Sequence, residues 1–232
     1  MADPKAITLN ALGEVTADGQ GAGVELDVLH RAAKVELEIA EAAGEITVTI
    51  ETAPEAAGPW RRGLEFDPLA QPGTYELCVD GLSRWVRATW VTSATVTFAV
   101  AGSAHVLYAD VREISLPGAA IRNLERSALV KAAIDATGEA ETYLASAYTL
   151  PLVAWPDELR RKIGHLMAYE VMRIRGFQPQ GPDEILLLDR DKAITWLNRI
   201  ANGGLRPPGI VDSTPEEYEP GAVVVSRPRR GW

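Results

Sequence analysis

Val35-Glu36-Leu37-Glu38-Ile39 and Ile46-Thr47-Val48-Thr49-Ile50 carry an apolar side chain at every second position. A period of two sends successive side chains to opposite faces of a strand, so each run predicts one buried and one wet side. Tyr75-Glu76-Leu77-Cys78-Val79 and Thr95-Val96-Thr97-Phe98-Ala99-Val100 repeat the pattern. Gly44, Pro54, Gly58-Pro59, Pro68, Pro72-Gly73 and Gly81 punctuate these runs. Gly supplies positive φ and Pro ends sheet pairing, so these positions predict turns. About seven short strands at this spacing predict an antiparallel β-sandwich or small barrel over 1–104.

After Tyr108 the period becomes helical. Val130, Ile134, Thr137, Ala140, Leu144 and Ala147 or Tyr148 form one stripe, which predicts a helix over 127–148 with Ser127 as its N-cap. Gly138 inside it either weakens the helix or admits a close neighbour. Trp155-Pro156-Asp157-Glu158 opens a second helix, with Leu159, Ile163, Leu166, Met167, Val171 and Ile174 as its stripe and Gly176 as its stop. A third follows Asp183-Glu184 and ends at Asn202-Gly203-Gly204, with Leu186, Ala193, Leu197 and Ile200 on one side. Arg190 falls on that side too, which requires a carboxylate partner or a later start. Short loops between three helices predict a compact antiparallel bundle over 105–205. The fold class is therefore α+β.

Residues 206–232 differ again. They hold five prolines and few apolar residues before Val223-Val224-Val225, then end Arg227-Pro228-Arg229-Arg230-Gly231-Trp232. Such a segment predicts an extended C-terminal arm.

Composition narrows the function classes. The 232 residues are 47% hydrophobic and 24% charged, enough for a buried core. No apolar run reaches the ~18 residues of a membrane span, and the first residues lack the basic and apolar blocks of a secretory signal. These features predict a soluble, non-membrane chain made in the cytoplasm. One cysteine, Cys78, and three scattered histidines give no metal-ligand pattern. Net charge is −9; residues 1–107 hold 7 Lys/Arg against 15 Asp/Glu, and the remainder 16 against 17. An acidic first half argues against its gripping a phosphate backbone.

Local motifs for catalysis are weak. Gly19-Gln20-Gly21-Ala22-Gly23 is followed by a strand-like Val24-Glu25-Leu26, so it reads as a hairpin turn and not a phosphate loop. Asp189 and Asp191 lack the further oxygen ligands that a divalent cation needs. No serine sits in a GxSxG elbow. The sequence offers no catalytic residue, metal site or cofactor. On a strand Trp85 and Arg87 share one face, while Val86, Ala88 and Trp90 share the other. One reading puts Trp90 in the core with Arg87 stacked on a ring; the other makes Trp60, Trp85 and Arg87 a surface platform. In the arm, Val223, Val224 and Val225 have the pattern of a strand that adds to another sheet edge. Arg227, Arg229, Arg230 and Trp232 are of types enriched at interface hot spots.

Tyr108-Ala109-Asp110-Val111, Thr142-Tyr143-Leu144-Ala145-Ser146-Ala147-Tyr148-Thr149-Leu150-Pro151-Leu152, Pro156 with Leu159-Arg160-Arg161-Lys162-Ile163, and Arg190 through Ala201-Asn202-Gly203 occur in that order. Over about residues 108–205 this series resembles the Mu-like head–tail adaptor family of tailed phages, also called connector or neck proteins. The resemblance implies a non-enzymatic adaptor of the virion neck, arranged as a homo-oligomeric ring, typically a dodecamer. Its implied partners are the portal protein and a tail or head-closure protein, with viral DNA passing without sequence-specific binding. Leu150, Pro151 and Leu152 are then candidates for an apolar plug into a neighbour, or for ordinary packing under their loop. Arg160 and Arg161 face either the channel or an acidic neighbour. The β-domain lies outside the resemblance. A carbohydrate- or surface-binding role for that sandwich is the alternative function.

Overall fold

The structure, a computed structural model, describes residues 4–176 and 183–213. The four alternating runs all lie on strands: β4 (His30–Ala42), β5 (Ile46–Ala53), β7 (Gly73–Asp80) and β9 (Val96–Val106). β1 (Lys5–Val15), β6 (Arg61–Glu65), β8 (Trp85–Thr92) and the short β2 (Gly19–Gln20) and β3 (Val24–Glu25) complete the set. One sheet has the order β1-β9-β4-β7; the other has β2-β8-β5-β6, with β3 also on β8. Every pairing is antiparallel. Val35, Leu37 and Ile39 on β4 and Phe98 and Val100 on β9 meet Val48 and Ile50 on β5 and Val86 and Ala88 on β8. The sandwich is thus the one the alternation predicts, with β9 running two residues past the expected boundary.

The glycine stretch is not a hairpin turn. Gly19 and Gln20 pair with Trp90 and Thr89, the Gly21 N–H donates to the Ala88 carbonyl at 2.9 Å, and Val24 pairs with Val86. The segment therefore runs along β8. A Cβ on Gly21 would lie 1.8 Å from the Leu9 carbonyl oxygen, so glycine is what lets this segment close against β1.

The helical part follows a 3₁₀ turn at Val111–Glu113 and a short α1 (Gly118–Ile121). Its long helices are α2 (Arg126–Leu144), α3 (Asp157–Arg175) and α4 (Glu184–Ala201). The 3₁₀ turn carries a reciprocal cap: the Arg112 N–H donates to Asp110 and the Asp110 N–H donates to Glu113 Oε2. α3 ends at Gly176, which has φ +97°. Gly164 in mid-α3 has a packing role, because a Cβ there would sit 2.5 Å from the Glu113 carbonyl oxygen. Of the expected α3 stripe, Ile174 is 50% exposed; it lies in the last turn, beyond the helical core, and Ala168 and Met172 are buried in the helix body.

α2 is buried more widely than its predicted stripe. Val130, Ala132, Ala133, Ala136, Ala140 and Leu144 are all buried, and they share a core with Ala32, Cys78 and Val106 on the back of the first sheet. Short alanine side chains let a helix lie between a sheet and two further helices. The molecule is therefore a sandwich with a helical layer resting on one outer face.

Ser127 does not cap its helix. The N-cap position is Glu125, and the Ser127 hydroxyl instead accepts the Cys78 N–H at 2.8 Å, tying α2 to the outermost strand β7. Beside it Arg126 makes a paired contact with Asp80 at 2.6–2.9 Å. Arg190 finds its carboxylate: Nη2 lies 2.7 Å from Glu139 Oε1, and the guanidinium sits 4.4 Å from the Tyr169 ring centroid.

Candidate functional site

Two places gather residues that the sequence singles out, and a third emerges only in the folded chain. The first is the α2–α3 connection. Tyr108, buried two residues past β9, donates its hydroxyl hydrogen to Glu141 Oε1 at 2.9 Å and accepts the Leu152 N–H at 3.1 Å. Its ring meets Trp155 edge-on at 4.9 Å. Burial pushes the Tyr108 phenol well above its usual range, and the neighbouring Glu141 carboxylate adds to this. Tyr108 thereby fixes the loop 149–154 against α2.

Leu152 is fully buried in the helical core, so it is a packing residue and not an exposed plug. Leu150 packs against the same core and Pro151 is half-buried. Residues 206–213, expected at the start of a free arm, fold back on this loop. The Val211 N–H donates to Ala154, Val153 donates to Val211, and the Ser213 N–H donates to the Thr149 carbonyl. Asp212 accepts the Thr149 N–H at 3.0 Å. Arg160 and Arg161 are both exposed on α3. Arg160 lies 3.8 Å from Asp157 and 4.0 Å from Glu113, contacts loose enough to leave it available at the surface. Val223, Val224, Val225, Arg227, Arg229, Arg230 and Trp232 lie outside the described residues.

The second place is the outer face of the second sheet. Trp60, Trp85 and Arg87 do come together there, all half-buried. Arg87 sits 4.1 Å over the Trp60 ring and is held by Glu51 at 2.8–2.9 Å. Gly23 lies against both indoles. Trp90 is a core residue: it packs edge-on against Phe98 at 5.2 Å and donates its indole N–H to the Ala17 carbonyl. The reading with Trp90 in the core and Arg87 stacked on a ring holds, and Trp60 and Trp85 keep part of their surface in solvent.

The third place had no linear signal. Between α2 and the back of β4 and β9 lies a cavity of about 540 Å³. His30 Nδ1 is 2.6 Å from Asp27 Oδ1, and His105 Nε2 is 2.8 Å from the Ser103 hydroxyl. Burial opposes the Asp27 charge, but hydrogen bonds from His30 and the Leu29 N–H bring its carboxyl below the usual value. Burial, with His30 nearby, pushes the His105 imidazole below its ordinary value. The residues come from strand ends and one helix far apart in the chain, which is why spacing could not disclose them. Among the described residues no group of three or more His, Cys, Asp or Glu side chains is placed to hold a metal ion. No helix among them is long and apolar enough to cross a membrane.

These features define an α+β protein with a β-sandwich ahead of its helical part. The family model described as "Bacteriophage Mu, Gp36" matches residues 107–226, more than half of the chain, and the chain belongs to that family. The match starts one residue before the resemblance read from sequence and extends past 205 through most of the arm. No curated protein matches. Among solved structures, the SPBc2 prophage-derived protein YomS is 13% identical, with 44% of this chain and 93% of that one covered and a TM-score of 0.30. PirA is 18% identical over 44% of this chain and 94% of its own, with a TM-score of 0.29. The Yersinia pseudotuberculosis-derived mitogen is 15% identical over 44% and 87%, with a TM-score of 0.26.

Proposed function

We propose that this chain is a head–tail adaptor of a tailed phage, a non-enzymatic subunit of a ring between portal and tail. Membership of the Mu Gp36 family over 107–226 is the observation that carries the reading. Physical features agree with it. A closed ring needs one heterologous interface repeated around an axis, and the exposed Arg160 and Arg161 with the half-buried Leu150 and Pro151 offer polar and apolar surface for it. The Val223–Val225 strand pattern and the arginines after it suit an arm that adds to a neighbouring subunit. DNA would pass such a ring without sequence reading, since the helical part and arm are nearly charge-balanced. The acidic sandwich would face outward, because its field repels phosphate.

Mass spectrometry of purified particles, with images of the protein mixed with its portal, tests this. Rings on the portal and a stoichiometric neck component are expected. Absence from assembled necks would defeat the assignment.

The sandwich supports a second reading of its own as a glycan- or surface-binding module, because Trp60 and Trp85 stay partly exposed beside an anchored guanidinium. Binding to a glycan array that disappears in Trp85→Ala would support it; an array without signal for the parent protein would end it.

A further inference from the structure

The outer face of the first sheet is only partly covered, because α2 rests on the end near Ala32, Cys78 and Val106. Beyond the helix two rows of side chains stay open. Glu76, Glu36 and Ala101 lie side by side across β7, β4 and β9, and Thr74, Glu38 and Ala99 follow. All but the half-buried Ala99 are exposed. Like charges directly opposite each other destabilise a sheet, yet Glu36 faces Glu76. Lys34 answers them from the row before, at 3.7 and 2.7 Å, and Lys131 reaches Glu76 at 3.6 Å. Glu38 has no cationic partner among the described residues. Small side chains beside these carboxylates leave the open end of the face flat.

The complementary pattern sits on α4, which carries two stripes. Ala193, Leu197 and Ile200 form the buried one. Ile185, Leu188, Lys192, Thr195 and Arg199, at spacings of three and four, form a second that is exposed throughout. Its first turn is apolar, with Ile185 and Leu188 66% and 51% exposed, and its far end is cationic. Lys162 of α3 joins that end, lining one groove with Lys192 and Arg199. Lys162 and Arg199 have no carboxylate partner among the described residues. Lys192 meets Asp189 at 3.1 Å, but exposed pairs of this kind are worth little. Among the described residues Asp191 is the one carboxylate lining the groove.

We propose that the exposed α4 stripe of one copy docks on the open rows of the first sheet of the next copy. Lys162, Lys192 and Arg199 then meet Glu36, Glu38 and Glu76, and Ile185 and Leu188 lie over the alanines of β9. The lengths agree. From Ile185 to Arg199 the stripe runs about 21 Å at 1.5 Å per residue, and four strands at ~4.8 Å spacing are about 14 Å across. The stripe therefore crosses the sheet from its alanine side to its carboxylate side. Because the two surfaces differ, the contact is heterologous and repeats from copy to copy, as a ring requires. It rests on the ring reading above and gives that ring an interface.

Sedimentation of the full-length chain over a range of concentrations tests this. The parent should self-associate at low salt and dissociate as salt rises. One variant reverses the sheet, Glu36→Lys with Glu38→Lys; the other reverses the helix, Lys192→Glu with Arg199→Glu. These side chains are exposed, so both variants should keep a melting midpoint near the parent's. Each alone should associate about tenfold more weakly or worse, because like charges then meet. Mixed in equal amounts, the two should assemble again, since every junction pairs opposite charges. The proposal is overturned by a parent that stays monomeric, by single variants that assemble as the parent does, or by a mixture no better than its parts. Loss of duplex DNA binding in the helix variant, with self-association intact, would assign the stripe to nucleic acid instead. Rings indifferent to the reversals would end this contact and leave the neck reading standing. Absence from purified necks would end the neck reading, while the mixing result would still decide this contact.

Discussion

The two cores of this molecule are built by different rules. Inside the sandwich the core is aliphatic and aromatic, and its buried polar groups sit at its margin: the Trp90 indole N–H donates to the Ala17 carbonyl, and the Thr52 hydroxyl donates to the Trp85 carbonyl. The helical layer buries Tyr108, Glu141 and Thr137 among its apolar residues. Strands take their register from long ladders, so the buried threonines of β5 add to a geometry that the pairing already fixes. Three helices on a sheet back have no such ladder, and the Tyr108 contacts to Glu141 and Leu152 supply a fixed point. A network of this kind is costly to leave incomplete, which is how it selects one arrangement.

The largest effect should come from the apolar side of that contrast. Phe98→Ala removes a fully buried ring that packs on Trp90 and should cost about 3–5 kcal/mol. Because Ala32, Cys78 and Val106 belong to the helical core, the helical far-UV signal should melt with the sandwich at the lowered midpoint. A helical signal that kept the parent midpoint would show the two regions to be independent.

Tyr108→Phe comes next. It leaves the buried Leu152 N–H without its acceptor and takes a donor from Glu141, for about 1–3 kcal/mol in denaturant titration. Hydrogen exchange at Leu152 should quicken, while the amides of β4 and β5 keep their protection until global unfolding. Equal loss across both cores would mean that the hydroxyl does not act locally. Ser127→Ala is smaller, about 0.5–1.5 kcal/mol, since the Cys78 N–H it releases lies at the sheet's outer strand. The local exchange rate at Cys78 checks it.

The same contrast explains what could be read from the chain. A sheet with one face on its core prints a period of two, so Val35 to Ile39 and Thr95 to Val100 were legible, as were helix ends at Pro156, Gly176 and Asn202. The second buried side of α2 was not, because alanines serve buried and exposed faces alike and carry little periodic signal. Ser127 shows a related limit: a hydroxyl at a helix start suits a cap by local rules, and only the nearby β7 makes it an acceptor for Cys78 instead. Tyr108 opens the family-like series in the sequence, but its partners lie 33 and 44 residues away, beyond any local rule. Asp110-x-x-Glu113 did carry a capping-box spacing that would have marked the turn opening the helical part. Trp60, Trp85 and Arg87 illustrate the intermediate case: the strand period puts Trp85 and Arg87 on one face and the sequence sets Trp60 beside them, but the folded sheet is needed to show Arg87 over the Trp60 ring.

The smallest effect is a slope with pH, and it tests whether the boundary between the regions is the sensitive place. His105 lies at that boundary and His165 lies on α3; burial is the main cause of lowering both below 6.5. A histidine lowered in this way is protonated less readily in the folded chain than in the unfolded one. As pH falls through 6.5 the unfolded chain takes up protons that the folded chain resists, so stability must decline toward acid. Asp27 and Glu76 are held below their ordinary values of 3.8 and 4.5, so their losses begin at more acid pH and leave the interval from about 6.5 to 5 to the histidines. Denaturation midpoints measured across that interval should drop for the parent protein. They should drop less for His105→Asn, and least for the double variant with His165→Asn. A slope unchanged in His105→Asn would remove the cavity wall as its source and leave α3 as the acid-sensitive element.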